Sequence, residues 1–168
     1  MELKQDDLRR ALQEKIDANR EIASHVAMLD EIAKQFPHSV EPIRHPEPLG
    51  DFNCVMYALN ICPEPPCSPL GRYYADTGYV RSLIDQGQLT EVGDNPPEGS
   101  LAIYFKEDTV MHIGRVRSPG RVVSKWGIGN LYEHAPLEVP SSYGNEVRYF
   151  STIDKEKAFE LLEQFCRG

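Results

Sequence analysis

No apolar run in this 168-residue chain approaches the ~18 residues that a membrane-spanning helix requires. The first residues, Met1 to Asp7, lack the basic and apolar regions of a secretory signal. A basic excess is also missing. Eighteen Lys and Arg stand against 26 Asp and Glu, for a formal charge of −8. Nonspecific phosphate neutralisation needs a basic face, so a nucleic acid is not expected as partner, and attraction to anionic lipid or an acidic polymer is disfavoured. The expected compartment is the cytoplasm, with specialised secretion left open. The four cysteines are too few, and in the wrong setting, for a disulfide framework, and are expected as thiols. Cys62 and Cys67 flank the run PEPP, but no second pair completes a four-ligand zinc set, so no metal is expected. The stretch Gly127 to Asn130 (GIGN) lacks the lysine and the strand-to-helix setting of a phosphate loop, and no cofactor is expected.

What is present is a globular composition, 40% hydrophobic and 26% charged, in a chain long enough to bury one core. Three sections are predicted. Residues 1–36 read as an N-terminal amphipathic helix: Leu8, Leu12, Ile16, Ile22, Val26, Leu29, Ile32 and Phe36 recur at helical steps between charged residues. That stripe suits either packing on the parent domain or a partner-binding or self-associating coiled coil. Residues 37–50 form a connector, with Pro37, Pro42, Pro46 and Pro48 removing amide donors and favouring extended backbone.

Residues 51–168 read as an α+β domain. A short helix over Phe52–Leu59 is followed by a second over roughly Thr77–Gln86. The turn cluster DNPPEGS then delivers the chain into a buried strand, Ser100–Phe105. A hairpin through Pro119 and Gly120 and a strand over EVRYF come next. A final amphipathic helix follows a Ser151/Asp154 capping pattern.

Chemistry concentrates at two points. Cys54, in GDFNC, stands at the predicted start of a helix. There, unpaired amides and the helix dipole stabilise a thiolate, typically by about 0.3–1 kcal/mol. Asp51 or Asn53 is the expected cap. A cysteine nucleophile also needs a histidine to take and return its proton. His25, His38 and His45 fall in the predicted helix and connector and are expected in solvent. His112 instead falls on a predicted interior strand, HIGRV, where it shares a face with Gly114. The glycine predicts open space beside the imidazole. Ser124 and His134 are the candidates for orienting His112 through its other nitrogen. Tyr73, Tyr74 and Trp126 suit either a groove lining or ordinary packing, and Arg115, Arg117 and Arg121 suit a solvated hairpin face. Cys166 is expected as a thiol without chemistry.

The segment NCVMYA resembles the nucleophile segment of papain-like cysteine peptidases of the NlpC and CHAP type, with Asn53, Cys54, Tyr57 and Ala58 in register. PPEGSLAIYF and MHIGRV resemble the strands of the same group, matching at Pro97, Gly99, His112 and Gly114, with Ser100 replacing an acid. VVSKWG resembles the segment around the orienting residue, matching at Ser124 and carrying Lys125 in place of an acid. His112 follows Cys54 by 58 residues, a spacing of the kind found in that group.

The resemblance spans roughly Asp51–Phe150. It implies a papain-like fold: a nucleophile helix on an antiparallel sheet, preceded here by the long N-terminal helix. It further implies a cysteine hydrolase that cleaves an amide, peptide or isopeptide bond of a peptide or protein through an acyl-enzyme. In that expectation Cys54 attacks, His112 is base and acid, and His134 or Ser124 orients it. Asn53 with the Cys54 amide receives the oxyanion, and Tyr57, Gly114 and Trp126 lie near the substrate. A deamidase or transglutaminase on the same scaffold, and a binding protein that has lost catalysis, are the alternatives.

Overall fold

The computed structural model describes residues 2–18, 24–43, 52–61, 75–127 and 129–168. Gly50, Asp51, Cys62, Cys67, Arg72, Tyr73, Tyr74 and His45 therefore lie outside the described residues, as do prolines 46 and 48 of the connector.

Five helices and six strands are described: α1 (Glu2–Ala18), α2 (His25–Ala33), β1 (Glu41–Ile43), α3 (Cys54–Ala58), α4 (Thr77–Asp85), β2 (Leu101–Lys106), β3 (Thr109–Ser118), β4 (Arg121–Lys125), β5 (Leu131–His134), β6 (Glu146–Phe150) and α5 (Lys155–Arg167). The strands form one antiparallel sheet in the order β1-β5-β4-β3-β2-β6. The fold is thus α+β with an antiparallel sheet, as expected.

Side chains alternate across a strand, and here both faces are covered. Leu101, Ile103, Phe105, Val110 and Ile113 join a cluster with Val55, Met56, Tyr79, Val80, Leu83, Leu161 and Leu162 of α3, α4 and α5. Ala102, Tyr104, Val116, Val122, Trp126 and Tyr132 join a second cluster with Leu8, Leu12, Leu29 and Ile32 of α1 and α2. Burial on both faces explains why β2 reads as an unbroken apolar run rather than an alternating one.

The N-terminal section departs from the single long helix predicted for residues 1–36. It is two helices, α1 and α2, that pack against each other. Leu8, Leu12, Leu29 and Ile32 of that stripe are buried in the chain's own second cluster, with Ile16 and Phe36 packed against it, whereas Val26 is exposed and Ile22 lies outside the described residues. The connector likewise contains β1, whose Pro42 sits on an edge strand paired with Tyr132 of β5. An edge is where a residue without an amide donor fits a sheet.

Candidate active site around Cys54

Cys54 is the first residue of α3. Asn53, in extended backbone, caps the helix: its Oδ1 accepts from the Met56 amide at 2.9 Å, while its Nδ2 donates to the Ala75 carbonyl at 2.7 Å. The cap therefore fixes the helix start and also ties it to the chain entering α4. The first helical bond runs from the Tyr57 amide to the Asn53 carbonyl, so the Cys54 and Val55 amides have no helical acceptor. Both amides favour the thiolate, as does the backbone of Ile113 on β3 and the Lys125 ammonium on β4. Burial outweighs them and pushes the Cys54 thiol up. Cys54 is half-buried and unpaired with any other cysteine.

The Ile113 backbone that meets the sulfur belongs to the residue after His112. A bulge in the β2–β3 ladder leaves Met111 without a partner and sets His112 opposite Tyr104. His112 is only 1% exposed, and its Nε2 is buried without a hydrogen-bond partner among the described residues. Burial and the neighbouring His134 hold its imidazole well below the ordinary histidine range. Its ring stacks on that of Tyr143, with centroids 3.9 Å apart and planes 12° from parallel. Tyr143 ends a short 3-10 turn, Ser141–Tyr143, and burial, together with the proximity of Cys54, raises its hydroxyl above the usual tyrosine range. His112 and Tyr143 thus share the sheet face of Tyr104, and no hydrogen bond joins the imidazole to the Cys54 sulfur, which packs against the first cluster.

Ser124 and His134 meet, but in a chain of their own. The Trp126 Nε1 donates to Ser124 Oγ at 3.1 Å, and Ser124 Oγ lies 2.8 Å from His134 Nε2. His134 Nδ1 sits 2.8 Å from the Ala135 carbonyl. A carbonyl only accepts, so Nδ1 carries the proton and Nε2 accepts from the serine hydroxyl. This tautomer agrees with burial driving the His134 imidazole down to about 4. No hydrogen bond joins Ser124 or His134 to His112; their bonds run to each other, to Trp126 and to Ala135.

The open space expected at Gly114 is absent. A Cβ there would fall 2.7 Å from the Val123 carbonyl and 2.9 Å from Ser124 Cβ. The glycine lets β4 press close to β3 rather than opening a groove. Trp126, at 1% exposure, belongs to the second cluster, so its part of the substrate set is packing instead. Tyr57 is half-buried, with its ring 6.4 Å from that of Phe52.

Among the other histidines, His25 is a correction. It is 3% exposed, and its Nδ1 lies 2.9 Å from the Tyr132 hydroxyl, because α2 is folded onto the sheet rather than standing in solvent. His38 accepts from the Val40 amide through Nδ1 and donates from Nε2 to the Leu29 carbonyl, closing the end of α2. Arg117 and Arg121 both pair with Glu133. Cys166 is an exposed thiol. Among the described residues, no group of His, Cys, Asp or Glu is arranged to hold a metal, and no helix is long and apolar enough to cross a membrane.

The family described as a domain of unknown function, DUF7689, matches residues 45–151, more than half of the chain. The chain belongs to this family. No curated protein and no solved structure matches it. The family region contains Cys54, His112, Ser124, Lys125, His134 and Tyr143, and leaves α1, α2, β1 and α5 outside. Tyr143 and Lys125 had no place among the sequence-derived site residues. SSYGN reads as a turn, and nothing in its composition signals that its tyrosine folds back onto a histidine 31 positions earlier.

Proposed function

We propose that the chain is a cysteine hydrolase that cleaves an amide or peptide bond of a peptide or protein substrate through an acyl-enzyme, on a papain-like arrangement. The observation that carries this reading is the Cys54 sulfur at the start of α3, beside the Cys54 and Val55 amides and the backbone of Ile113, the residue that follows His112 on β3. Burial favours a neutral thiol and a neutral imidazole at rest. The thiol proton then moves to His112 as Sγ attacks the carbonyl carbon, rather than residing there beforehand. The Cys54 amide, free of a helical acceptor, faces the oxyanion that forms. Asn53 supports this by capping. Collapse breaks the C–N bond, and His112 returns the proton to the leaving amine. Water then attacks the thioester, giving up one proton to His112, which passes it to the Cys54 thiolate as the C–S bond breaks and the carboxylic acid leaves.

A second reading, a binding protein derived from such an enzyme, draws on the unpaired and buried Nε2 of His112 and the raised Cys54 thiol. A deamidase or transglutaminase would use the same acyl chemistry, and release of ammonia without chain cleavage would single it out.

The deciding experiment is iodoacetamide alkylation across pH, resolved by peptide mass spectrometry for all four cysteines, in the wild type and in His112→Ala. On the hydrolase reading, Cys54 labels through His112, and the variant slows it on the order of 10²-fold, the effect of a positioned base. Cys166 keeps its rate. A Cys54 that is inert in the wild type, or indifferent to His112, sinks the hydrolase and leaves the binding protein.

A further inference from the structure

Lys125 ends β4 with 0% of its surface exposed. Lysines are almost never so buried unless the ammonium is held, because stripping water from the charge costs several kcal/mol in order of magnitude. Here Nζ donates to the carbonyls of Gly127 at 3.0 Å and Gly129 at 3.1 Å, and it stands 5.0 Å from the centroid of the Phe52 ring. These contacts reach two separate segments.

Gly127 and Gly129 belong to the turn between β4 and β5. Gly127 takes φ 56°, the left-handed conformation that glycine adopts without strain. The turn is closed by the Gly129 amide on the Trp126 carbonyl and the Trp126 amide on the Asn130 carbonyl. Phe52 belongs to the other segment, two residues before the nucleophile. One ammonium therefore binds the turn and leans on the backbone that leads into Cys54.

We propose that Lys125 is a positioning residue for Cys54: its ammonium clamps the β4–β5 turn to the Phe52–Cys54 segment and sets a positive charge facing the sulfur. The proposal rests on the hydrolase reading and deepens it, giving a role to the lysine that stands where the resembling peptidases carry an acid. The titratable groups whose charge bears on Cys54 are Lys125 on β4 and Tyr143 from the 3-10 turn, whereas His112, paired across the ladder with Tyr104, turns to the other face of the sheet. Tyr143 remains a phenol, so the thiolate's cationic neighbour of these two is Lys125.

The test follows the Cys54 Cβ resonance of full-length protein carrying 13C-labelled cysteine as pH is raised, with Cys54→Ala to assign it. Lys125→Met removes the charge at similar length and is expected to raise the Cys54 midpoint by about one pH unit. Lys125→Arg keeps the charge and is expected to return most of that shift. A merely structural lysine moves neither midpoint in this pattern. Coupling between two charges is reciprocal. In Cys54→Ala, therefore, the Lys125 Cε resonance is expected to titrate at lower pH by a matching amount.

That second arm leaves Lys125 intact and decides the matter if Lys125→Met fails to fold. An unmoved Cys54 midpoint in folded Lys125→Met, or an unmoved Lys125 resonance in Cys54→Ala, overturns the proposal. No substrate or electrophile enters these measurements. A protein that shows the coupling but resists iodoacetamide has lost the hydrolase reading alone.

Discussion

Burial drives the His134 imidazole down to about 4, because a charged ring in that interior has no water and its Nε2 is already accepting from Ser124. The unfolded chain returns it to about 6.5. Between those values the unfolded state takes up a proton that the folded state refuses, so stability rises with pH across the window. The contribution is fully present above about 6.5 and is lost as pH falls towards 4, on the order of 3 kcal/mol in all. His112 is displaced in the same direction and steepens the loss. Urea midpoints measured from pH 7.5 to 4 are expected to fall steadily, and a His134→Phe variant that still folds is expected to show a shallower fall. A flat profile in the wild type would falsify the buried neutral tautomer. The serine is equally exposed to test. Ser124→Ala strips the acceptor from Trp126 Nε1 and the donor from His134 Nε2 together, and each unsatisfied buried group costs about 1–3 kcal/mol. Chemical denaturation is expected to show a loss well above that of a surface Ser→Ala.

At the scale of the element, α3 is only five residues long and depends on its cap. Asn53→Ala removes both the bond to the Met56 amide and the bond to the Ala75 carbonyl, an expected loss of about 1–2 kcal/mol. Asn53→Asp keeps the acceptor and is expected to lose less, which a comparison of urea midpoints checks. The β3–β4 contact is the other sensitive join. Gly114→Ala places a methyl against the Val123 carbonyl and Ser124, and overpacking of this kind costs about 1–3 kcal/mol.

These elements differ in how far the sequence discloses them. The helix over Thr77–Asp85, the strands around 101–106 and 146–150, and the hairpin at Gly120 carry local signals: periodicity, apolar density and turn residues. The start of α5 follows the same logic with one change, since Asp154 alone caps it through the Glu156 and Lys157 amides. That residues 1–36 hold two helices is less legible, because Leu8 and Leu12 of α1 and Leu29 and Ile32 of α2 enter one cluster on one sheet face. Cys54, Asn53 and His112 are visible through residue type and spacing. The stacking of Tyr143 on His112, the Ser124–His134–Trp126 chain and the reach of Lys125 depend on strand register and on a returning turn, which no local pattern encodes.

Across the whole molecule, the two sheet faces divide the work. α3 brings Cys54 to one cluster, while α1 and α2 roof the other, which holds Tyr104, Trp126 and Tyr132. α1 also grips the returning turn. Arg9 is 5% exposed and donates to the carbonyls of Val139, Pro140 and Gly144, and Gln13 Oε1 accepts from the Ser142 amide and hydroxyl. The next residue in that turn is Tyr143, stacked on His112. The N-terminal helix is thus linked to the candidate site through a guanidinium and three carbonyls, although it lies outside the family match. Arg9→Met keeps much of the apolar stem and removes the donors, an expected loss of about 2–3 kcal/mol for bonds from a charged group. Because Trp126 is the chain's one tryptophan and is buried under this roof, its emission reports the change. Arg9→Met is expected to unfold at lower urea and, if the turn loosens before the core opens, to slow Cys54 alkylation in native buffer while Trp126 emission stays blue. Unchanged alkylation together with an unchanged urea midpoint would show that α1 roofs the sheet without holding Tyr143 to the site.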